Sequence, residues 1–274
     1  MLSASSRAWP MGDDWVLQPK WDGFRLLIAI DARGRVRAWS RHGTSLTARL
    51  SELLAPFARV PAGSVFDGEL VAIAERASRP VQDFAAVGRA IFGGAPAAAA
   101  QLQFVAFDLL ELAGEDLRHQ PWRHRDQQLR EALPASERIR LVRSLPVSAA
   151  THDEIVGLGF EGSVLKRPRS LYRPGRNSAW VKHKARHTVA GELVAVRQDH
   201  KGQCYAICEV DGGRVVALAS TEASEQVGEP VTLVYSRVDA DGTLREVRLP
   251  PATGSEDRSS PRSAAGAHPS APLS

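Results

Sequence analysis

Charged residues interrupt segments of this sequence that are otherwise typical of buried β-strands. Asp67 and Glu69 stand in the middle of the apolar segment 65–74, and Lys182 and Lys184 lie two positions apart in another. Side chains alternate along a strand, so Lys182 and Lys184 share one face. Charges inside a strand are costly unless each meets an opposite charge or a ligand. The fold must therefore bring these groups together, either as buried ion pairs or as a site where carboxylates hold a metal ion and amines hold phosphate.

Lysine is scarce in this chain. Of the 35 basic residues, 30 are arginine and five are lysine. Arginine stays protonated, whereas a lysine amine can lose its proton and act as a nucleophile. Codon bias explains an excess of arginine, but it does not explain why four lysines stand in short motif-like contexts. These four are Lys20, Lys166, Lys182 and Lys184.

Hydrophobic periodicity predicts two domains, for which 274 residues are long enough. Residues 1–187 combine helices and strands and predict an α+β domain. Residues 188–250 contain short β-segments between glycine-containing turns, which is typical of a small all-β barrel such as an OB-fold. Residues 251–274, rich in Pro, Ser and Ala, predict a disordered tail. The α+β domain is predicted to contain strands at 15–19, 24–30, 35–39, 65–74, 102–110, 138–145 and 162–166, and helices at 46–58, about 81–91, 121–133 and about 149–158.

Composition excludes several classes of protein. No apolar run approaches the ~18 residues needed to cross a bilayer, and the first 15 residues lack a secretion signal. Cys204 and Cys208 cannot form a disulfide framework or a zinc site by themselves. We therefore expect a cytoplasmic protein with no membrane partner. Residues 163–190 are rich in Lys and Arg, contain no acidic residue and include Tyr172 and Trp180. This composition favours binding to the phosphates of a nucleic acid.

Six short motifs occur in a fixed order over about 165 residues. This ordered set resembles the signature of the covalent nucleotidyltransferases, which include ATP-dependent DNA ligases, RNA ligases and mRNA capping enzymes. The small bacterial ATP-dependent DNA ligases are the most similar branch, and the likeness extends from about Trp15 to Pro250. The resemblance implies an ATP-grasp-like α+β adenylation domain followed by an OB-fold. The motifs are KWDGFR (20–25), SRHG (40–43), FDGELV (66–71), FVAFDLL (104–110), EGSVLK (161–166) and WVKHK (180–184).

The resemblance also implies a role for each matching residue. Lys20 would attack the α-phosphorus of ATP and carry AMP. Glu69 and Glu161 would bind a divalent ion, Mg²⁺ or Mn²⁺. The nucleotide would be bound by Gln18, Arg25, Arg41, Glu69, Phe107, Lys166, Lys182 and Lys184.

Several of these residues have a simpler interpretation. A lone phenylalanine such as Phe107 belongs to the core more often than to a ligand site. Arg41 could be a turn residue, and Glu161 could be a charge at a helix end. Asp22 and Asp67 could hold loops around Lys20 through hydrogen bonds.

The sequence departs from the family at its carboxyl-terminal motif. Ligases of this type usually end with RxDK, whereas this chain has no lysine after Lys201 and offers only Arg245 and Arg248. Only 19 residues precede Lys20, so we expect no large DNA-encircling domain, a weak grip on DNA and a recruiting repair partner. The expected activity is the sealing of nicked double-stranded DNA in repair by a monomer. The alternatives are an RNA ligase with the same chemistry and a catalytically impaired nucleic-acid-binding relative.

Overall fold

The computed structural model describes residues 1–5, 14–76, 79–93, 102–238 and 242–250. The predicted tail at 251–274 lies outside the described residues. Among those residues, no helix has both the length and the apolar character needed to cross a membrane. The helices are α1 (Ser51–Leu54), α2 (Phe84–Phe92), α3 (Trp122–Ala132) and α4 (Ala149–Gly157), with 3₁₀ turns at Ala55–Arg59 and Thr221–Gln226.

Strands make up most of the regular structure in the described ranges. They are β1 (Leu2–Ser5), β2 (Val16–Pro19), β3 (Phe24–Ile30), β4 (Val36–Ser40), β5 (Ser64–Arg76), β6 (Arg79–Gln82), β7 (Leu102–Leu112), β8 (Glu115–Asp116), β9 (Ile139–Leu141), β10 (Gly162–Lys166), β11 (Arg176–Lys184), β12 (His187–Gln198), β13 (Cys204–Val210), β14 (Gly213–Ala219), β15 (Pro230–Tyr235), β16 (Arg237–Val238) and β17 (Leu244–Arg245).

The described chain divides into two compact units. The first comprises Met1–Thr188 and Val234–Val247, and the second comprises Val189–Leu233 with the described residues from Arg248 onward. The second unit is built on a sheet with the strand order β14-β13-β12-β15. Both cysteines are buried and free on β13.

The larger sheet of the first unit has the strand order β4-β3-β5-β7-β8, with β6 paired to β5 and β9 paired in parallel to β7. Alternate residues of β3, including Leu26 and Ile28, are fully buried, as are Phe66 on β5 and Phe104 on β7. Each such side chain contributes about 1.5–3 kcal/mol by leaving water. The strands predicted at 24–30 and 35–39 are confirmed as β3 and β4, which pair antiparallel. Asp31 Oδ1 closes the turn between them by accepting from the Arg33 and Arg35 amides at 2.9 and 3.0 Å.

The smaller sheet of the first unit has the order β1-β11-β10-β2. In this sheet β10 runs antiparallel to both β11 and β2, and β1 runs parallel to β11. Val164 of β10 lies opposite Lys182 of β11 on one side and Gln18 of β2 on the other. Directly opposed residues point to the same face of a sheet, so Gln18 and Lys182 share one face with Val164. Lys166, two positions after Val164 on β10, lies on that face as well.

Several predicted elements are shorter than the periodicity indicated. The helix predicted at 46–58 is α-helical only at Ser51–Leu54 and continues as the 3₁₀ turn Ala55–Arg59, because Pro56 has no amide proton to donate to the Glu52 carbonyl. Pro121 is the N-cap of α3 and not its first helical residue. The strand predicted at 138–145 is confined to Ile139–Leu141.

Candidate functional site

Both sheets of the first unit contribute to one cavity. It has about 660 Å³ of empty space, counting the solvent at its mouth. Six residues that the sequence singled out line it: Gln18, Lys20, Arg25, Glu69, Phe107 and Lys166. The remaining lining includes residues that the sequence analysis did not assign to the site, among them Met1, Trp21, Val142 and Val164.

Lys20 lies at the end of β2 and is anchored through both its backbone and its side chain. Its amide donates to the Gly162 carbonyl at 2.8 Å. Its Nζ donates to Oε2 of Glu161, and Lys184 Nζ lies 2.7 Å from the other carboxylate oxygen. Burial alone would raise the pKa of Glu161, but the two amines reverse this shift and hold it below its ordinary value. A single buried carboxylate thus gathers two of the scarce lysines.

Two glycines allow the backbone around Lys20 to pack closely. A Cβ atom on Gly23 would lie 2.0 Å from the Leu70 carbonyl oxygen. Gly162 has φ +139°, and a Cβ atom there would lie 2.1 Å from the His183 carbonyl oxygen. Because only glycine fits either position, the KWDG and EG motifs have a steric basis in this fold.

Arg25 is held at the cavity wall by Asp67. Its Nε donates to Asp67 Oδ1 at 2.8 Å, and Nη2 donates to the second carboxylate oxygen. Tyr172 Oη accepts from Arg25 Nη2 and donates to Asp67, both at 2.8 Å, and Arg25 Nη1 donates to the Met1 carbonyl. Asp67 is fully buried. Asp67 therefore has a structural role, because it orients Arg25 and is not among the residues that line the cavity.

The Lys166 amine lies among aromatic rings. Nζ is 4.0 Å from the ring centroid of Trp180, 4.9 Å from that of Phe107 and 5.3 Å from that of Trp122. It donates to the Phe107 carbonyl at 2.9 Å. Burial lowers the pKa of Lys166 to about 8, although Asp108 opposes this shift. The amine is therefore shielded from water by aromatic rings, and its hydrogen bond attaches it to the backbone of Phe107 at the cavity wall.

Asp108, which follows Phe107 in the FVAFDLL motif, is not among the residues that line the cavity. Its two oxygens accept from Arg125 Nε at 2.7 Å and from Nη2 at 2.8 Å, and both side chains are fully buried. The ion-pair interpretation is correct at this position. The alternation of β7 directs Phe107 to the cavity and Asp108 to the opposite face.

Glu69 presents the opposite case, a carboxylate at the cavity wall. Burial raises its pKa to about 8, and the opposing attraction of Lys20 and Arg25 is too small to cancel that effect. The carboxyl group is therefore largely protonated at neutral pH in the ligand-free protein. A bound cation would favour the ionised form.

Glu69→Gln should make the protein more stable at alkaline pH. The pKa of Glu69 is higher in the folded chain than the ordinary 4.5, so its stabilising contribution is complete below about pH 4.5 and is lost as pH rises through about 8. Glutamine does not ionise, so we expect a gain of about 2 kcal/mol at pH 9 and almost none at pH 5. Urea unfolding at both values measures this, with the exposed Glu115→Gln as control. Equal gains in the free energy of unfolding at pH 5 and pH 9 would contradict the raised pKa of Glu69.

Four predicted residues, Arg41, Glu161, Lys182 and Lys184, are not among those that line the cavity. Arg41 is exposed in the turn after β4, which agrees with its interpretation as a turn residue. Lys182 is partly buried near Lys20 and Lys184. Burial lowers the pKa of Lys182, and the positive charges of Lys184 and Lys20 lower it further. Among the described residues Lys182 forms no ion pair, so its amine is available to an anion.

The predicted metal ligands Glu69 and Glu161 form no preassembled metal site. The described part of the chain contains no group of three or more His, Cys, Asp or Glu side chains arranged to hold an ion. Mg²⁺ keeps several waters and is commonly held by one or two carboxylates together with substrate phosphates. A carboxylate such as Glu69 fits that mode of binding, which requires the nucleotide to be present.

The chain matches the family model described as ATP dependent DNA ligase domain over residues 3–184. It is 33% identical over 191 residues to DNA ligase B of Mycobacterium tuberculosis H37Rv, covering 68% of this chain and 38% of that protein. It is 28% identical over 232 residues to a DNA ligase of Thermococcus fumicolans, covering 74% of this chain and 41% of that protein. The chain thus spans about two fifths of the length of these relatives.

Two solved structures of DNA ligases are similar to most of this chain. The ligase domain of M. tuberculosis LigD is 25% identical, with a TM-score of 0.57 and coverage of 90% of this chain and 92% of that one. A Lig E DNA ligase structure has a TM-score of 0.64 at 17% identity, covering 86% and 91%. The second likeness concerns the fold alone.

Proposed function

The chain belongs to the ATP-dependent DNA ligase domain family, and we propose that it seals nicks in duplex DNA through AMP carried on the Lys20 amine. The observation that carries this proposal is the position of Lys20 at the wall of the cavity, beside Phe107, Glu69 and Arg25, with its amine on the buried carboxylate Glu161. A lysine in that position has both a partner to orient it and a site for a nucleotide within reach.

The proposed reaction has three phosphoryl transfers. Lys20 Nζ forms a P–N bond to the α-phosphorus of ATP, loses a proton and expels pyrophosphate. The 5′-phosphate at the nick then displaces the lysine and takes AMP. Finally the 3′-hydroxyl attacks that phosphate, forming the phosphodiester and releasing AMP. Each step spreads negative charge over phosphate oxygens, so positioning and nearby cations supply most of the catalysis.

The cavity residues divide between the two ends of the nucleotide. Phe107 offers a ring on which adenine can stack, and Gln18, which donates to Ser144 Oγ at 3.1 Å, offers its amide oxygen to the adenine edge. Arg25, held by Asp67, is assigned to the ribose. Lys182 and Lys184 supply positive charge for the α-phosphate. We also assign Lys166 to this charge, acting from its aromatic surroundings.

A divalent ion, Mg²⁺ or Mn²⁺, is assigned to Glu69 and Glu161 together with the nucleotide phosphates. When bound it would stabilise charge on the phosphate oxygens. The raised pKa of Glu69 has a consequence for this assignment, because the carboxyl group must release its proton to bind the ion.

The finer features of the proposal concern the second unit and the biological setting. We assign residues 188–250 to an OB-fold domain on the basis of their short strands, and residues 251–274 to a disordered tail. We propose a cytoplasmic monomer that acts on nicked DNA in repair and is recruited by a partner. Arg245 or Arg248 would replace the basic residues of the missing RxDK motif.

Incubation with α-labelled ATP and Mg²⁺, followed by a chase with nicked DNA, tests the proposed function. The protein should acquire label and lose it when a 5′-phosphorylated nick is added. Parallel chases with nicked RNA and hybrid duplexes distinguish DNA from RNA ligation. A folded protein that acquires no label would be a nucleic-acid-binding relative and not a ligase.

Lys182→Ala should reduce the rate of label transfer about 100-fold, because one amine that stabilises transition-state charge is lost. Its side chain is only partly buried and forms no ion pair among the described residues, so the free energy of unfolding should change by less than about 1 kcal/mol. Single-turnover labelling and urea unfolding give the two values. Substantial unfolding would instead indicate that Lys182 has a structural role.

A further inference from the structure

Lys20 and Lys184, which share Glu161, have a second carboxylate nearby. It belongs to Glu246, in the carboxyl-terminal part of the first unit. Lys184 Nζ contacts Oε1 of Glu246 as well as Oε1 of Glu161. Glu161 also accepts from Lys20, so amines and carboxylates alternate in one chain of contacts. The formal charges of the two lysines and two glutamates cancel. In the ligand-free protein, therefore, Lys184, one of the three amines assigned to the α-phosphate, is already paired with Glu246.

Glu246 reaches Lys184 from an unfavourable backbone conformation. Its φ is +53°, in the left-handed region that glutamate seldom adopts. The segment is held on both sides, because Ser236 N donates to the Arg245 carbonyl at 3.0 Å and Val247 is buried. The Glu246 side chain itself is half exposed. Such a conformation persists only where its surroundings stabilise it, and the ion pair with Lys184 supplies that stabilisation.

We propose that Glu246 is an electrostatic latch, which occupies Lys184 until the phosphates of ATP displace it. The proposal rests on the proposed function, in which Lys184 faces the α-phosphate. A phosphate oxygen and a carboxylate oxygen compete for the same amine protons. Lys182 forms no ion pair within the described residues and provides the first contact for the incoming phosphates. Glu161 remains with Lys20, whereas the exposed Glu246 can leave into water.

This latch has two consequences for the ligand-free and bound states. Part of the binding energy of ATP is used to displace Glu246, so the latch weakens nucleotide binding. Release of Glu246 also removes the ion pair that stabilises the positive φ at this residue. Arrival of the triphosphate is thereby coupled to movement of residues 244–247, the region that stands where the family has its RxDK motif.

Glu246→Gln tests the latch by removing the charge while keeping the shape of the side chain. The probe is α,β-methylene-ATP, which cannot transfer AMP to Lys20, and calorimetry gives its dissociation constant. We expect about two- to fivefold tighter binding, the range for loss of one half-exposed competing ion pair. Glu246→Gly should give the same gain and also a higher Tm, because glycine adopts the positive φ without strain. The exposed Glu225→Gln in the second unit makes the same change of net charge and should alter binding less than twofold.

Salt separates the latch from a general charge effect. The gain in Glu246→Gln should shrink in 0.5 M NaCl, since screening weakens an exposed ion pair. Wild-type or weaker affinity in both Glu246 variants at low salt would overturn the latch. Labelling of Lys20 in the wild type is a separate result. If the wild type is labelled but the Glu246 variants bind the analogue no more tightly, only the latch is wrong. If the variants bind the analogue more tightly but the wild type is not labelled, only the proposed ligase activity is wrong.

Discussion

Lys20→Arg should abolish covalent transfer of AMP to the protein and leave the fold intact. A guanidinium stays protonated and is a poor nucleophile, whereas it still offers a cation to Glu161. The Lys20 side chain is 21% exposed, so the longer arginine has room at the mouth of the cavity. We expect labelling by α-labelled ATP to fall at least ~10⁴-fold, as for loss of a catalytic nucleophile. Tm should shift by no more than a few degrees.

Intact-mass measurement provides the direct reading, because the wild type should gain the mass of AMP and the variant should not. Lys201→Arg is the matched control, since Lys201 is exposed between β12 and β13 and should leave labelling unchanged. Lys20→Arg should still join nicks that already carry AMP on the 5′-phosphate, which shows that the later chemistry survives. Sealing that starts from ATP in this variant would mean that another residue is the nucleophile.

The strands that build the site could be predicted from the sequence because their patterns are local. The alternation in residues 24–30 predicts β3 with its observed bounds, and GSVLK predicts β10 at 162–166. The hydrophobic pattern at 46–58 failed because Pro56 and the hydrogen bond from Ala38 N to Thr47 Oγ1 at 3.0 Å override helical periodicity. Periodicity records which face is apolar, but it does not record where the backbone can remain helical.

The partners of the charged residues could not be predicted, because they depend on contacts between distant parts of the chain. Buried ion pairs and a phosphate-binding cluster are both open interpretations from the sequence, and the structure confirms the ion pairs at two positions. Asp67 pairs with Arg25 and Asp108 pairs with Arg125, as in the first interpretation. Lys20, Glu161 and Lys184 form a further ion-paired cluster beside the cavity, and phosphate binding there stays a prediction.

Glu246 and Tyr172 illustrate the same limit. Neither belongs to one of the six motifs, and each reaches the site across 62 or more residues of sequence, to Lys184 and to Asp67 respectively. Tyr172 stands in the basic segment 163–190, whose aromatic content is the only sequence signal for it. Glu246 offers no such signal, because one acidic residue in a polar segment is ordinary.

Arg125→Met should cause the largest loss of stability in the first unit. Arg125 is fully buried, and besides its two bonds to Asp108 it donates to the Gln120 and Ser170 carbonyls at 2.7 and 3.1 Å. Methionine fills much of the space but leaves the Asp108 carboxylate buried without its cation. Breaking a buried pair from one side costs about 3–5 kcal/mol. That is a large part of the 5–15 kcal/mol by which domains are typically stable.

Urea unfolding of a double-mutant cycle isolates this effect. Asp108→Leu combined with Arg125→Met leaves no buried charge, so the double variant should recover at least half of the stability lost by Arg125→Met alone. Arg130→Met breaks the more exposed pair with Asp126 on the same helix and should cost less than about 1 kcal/mol. If the double variant is as unstable as the single one, packing around Arg125 matters more than the charge of Asp108.

Arg125 also lies over the ring of Tyr172, 5.7 Å from its centroid, and Tyr172 holds the Arg25–Asp67 pair at the cavity. A partly folded Arg125→Met protein should therefore lose AMP transfer before it loses its strands, since the orientation of Arg25 depends on this contact.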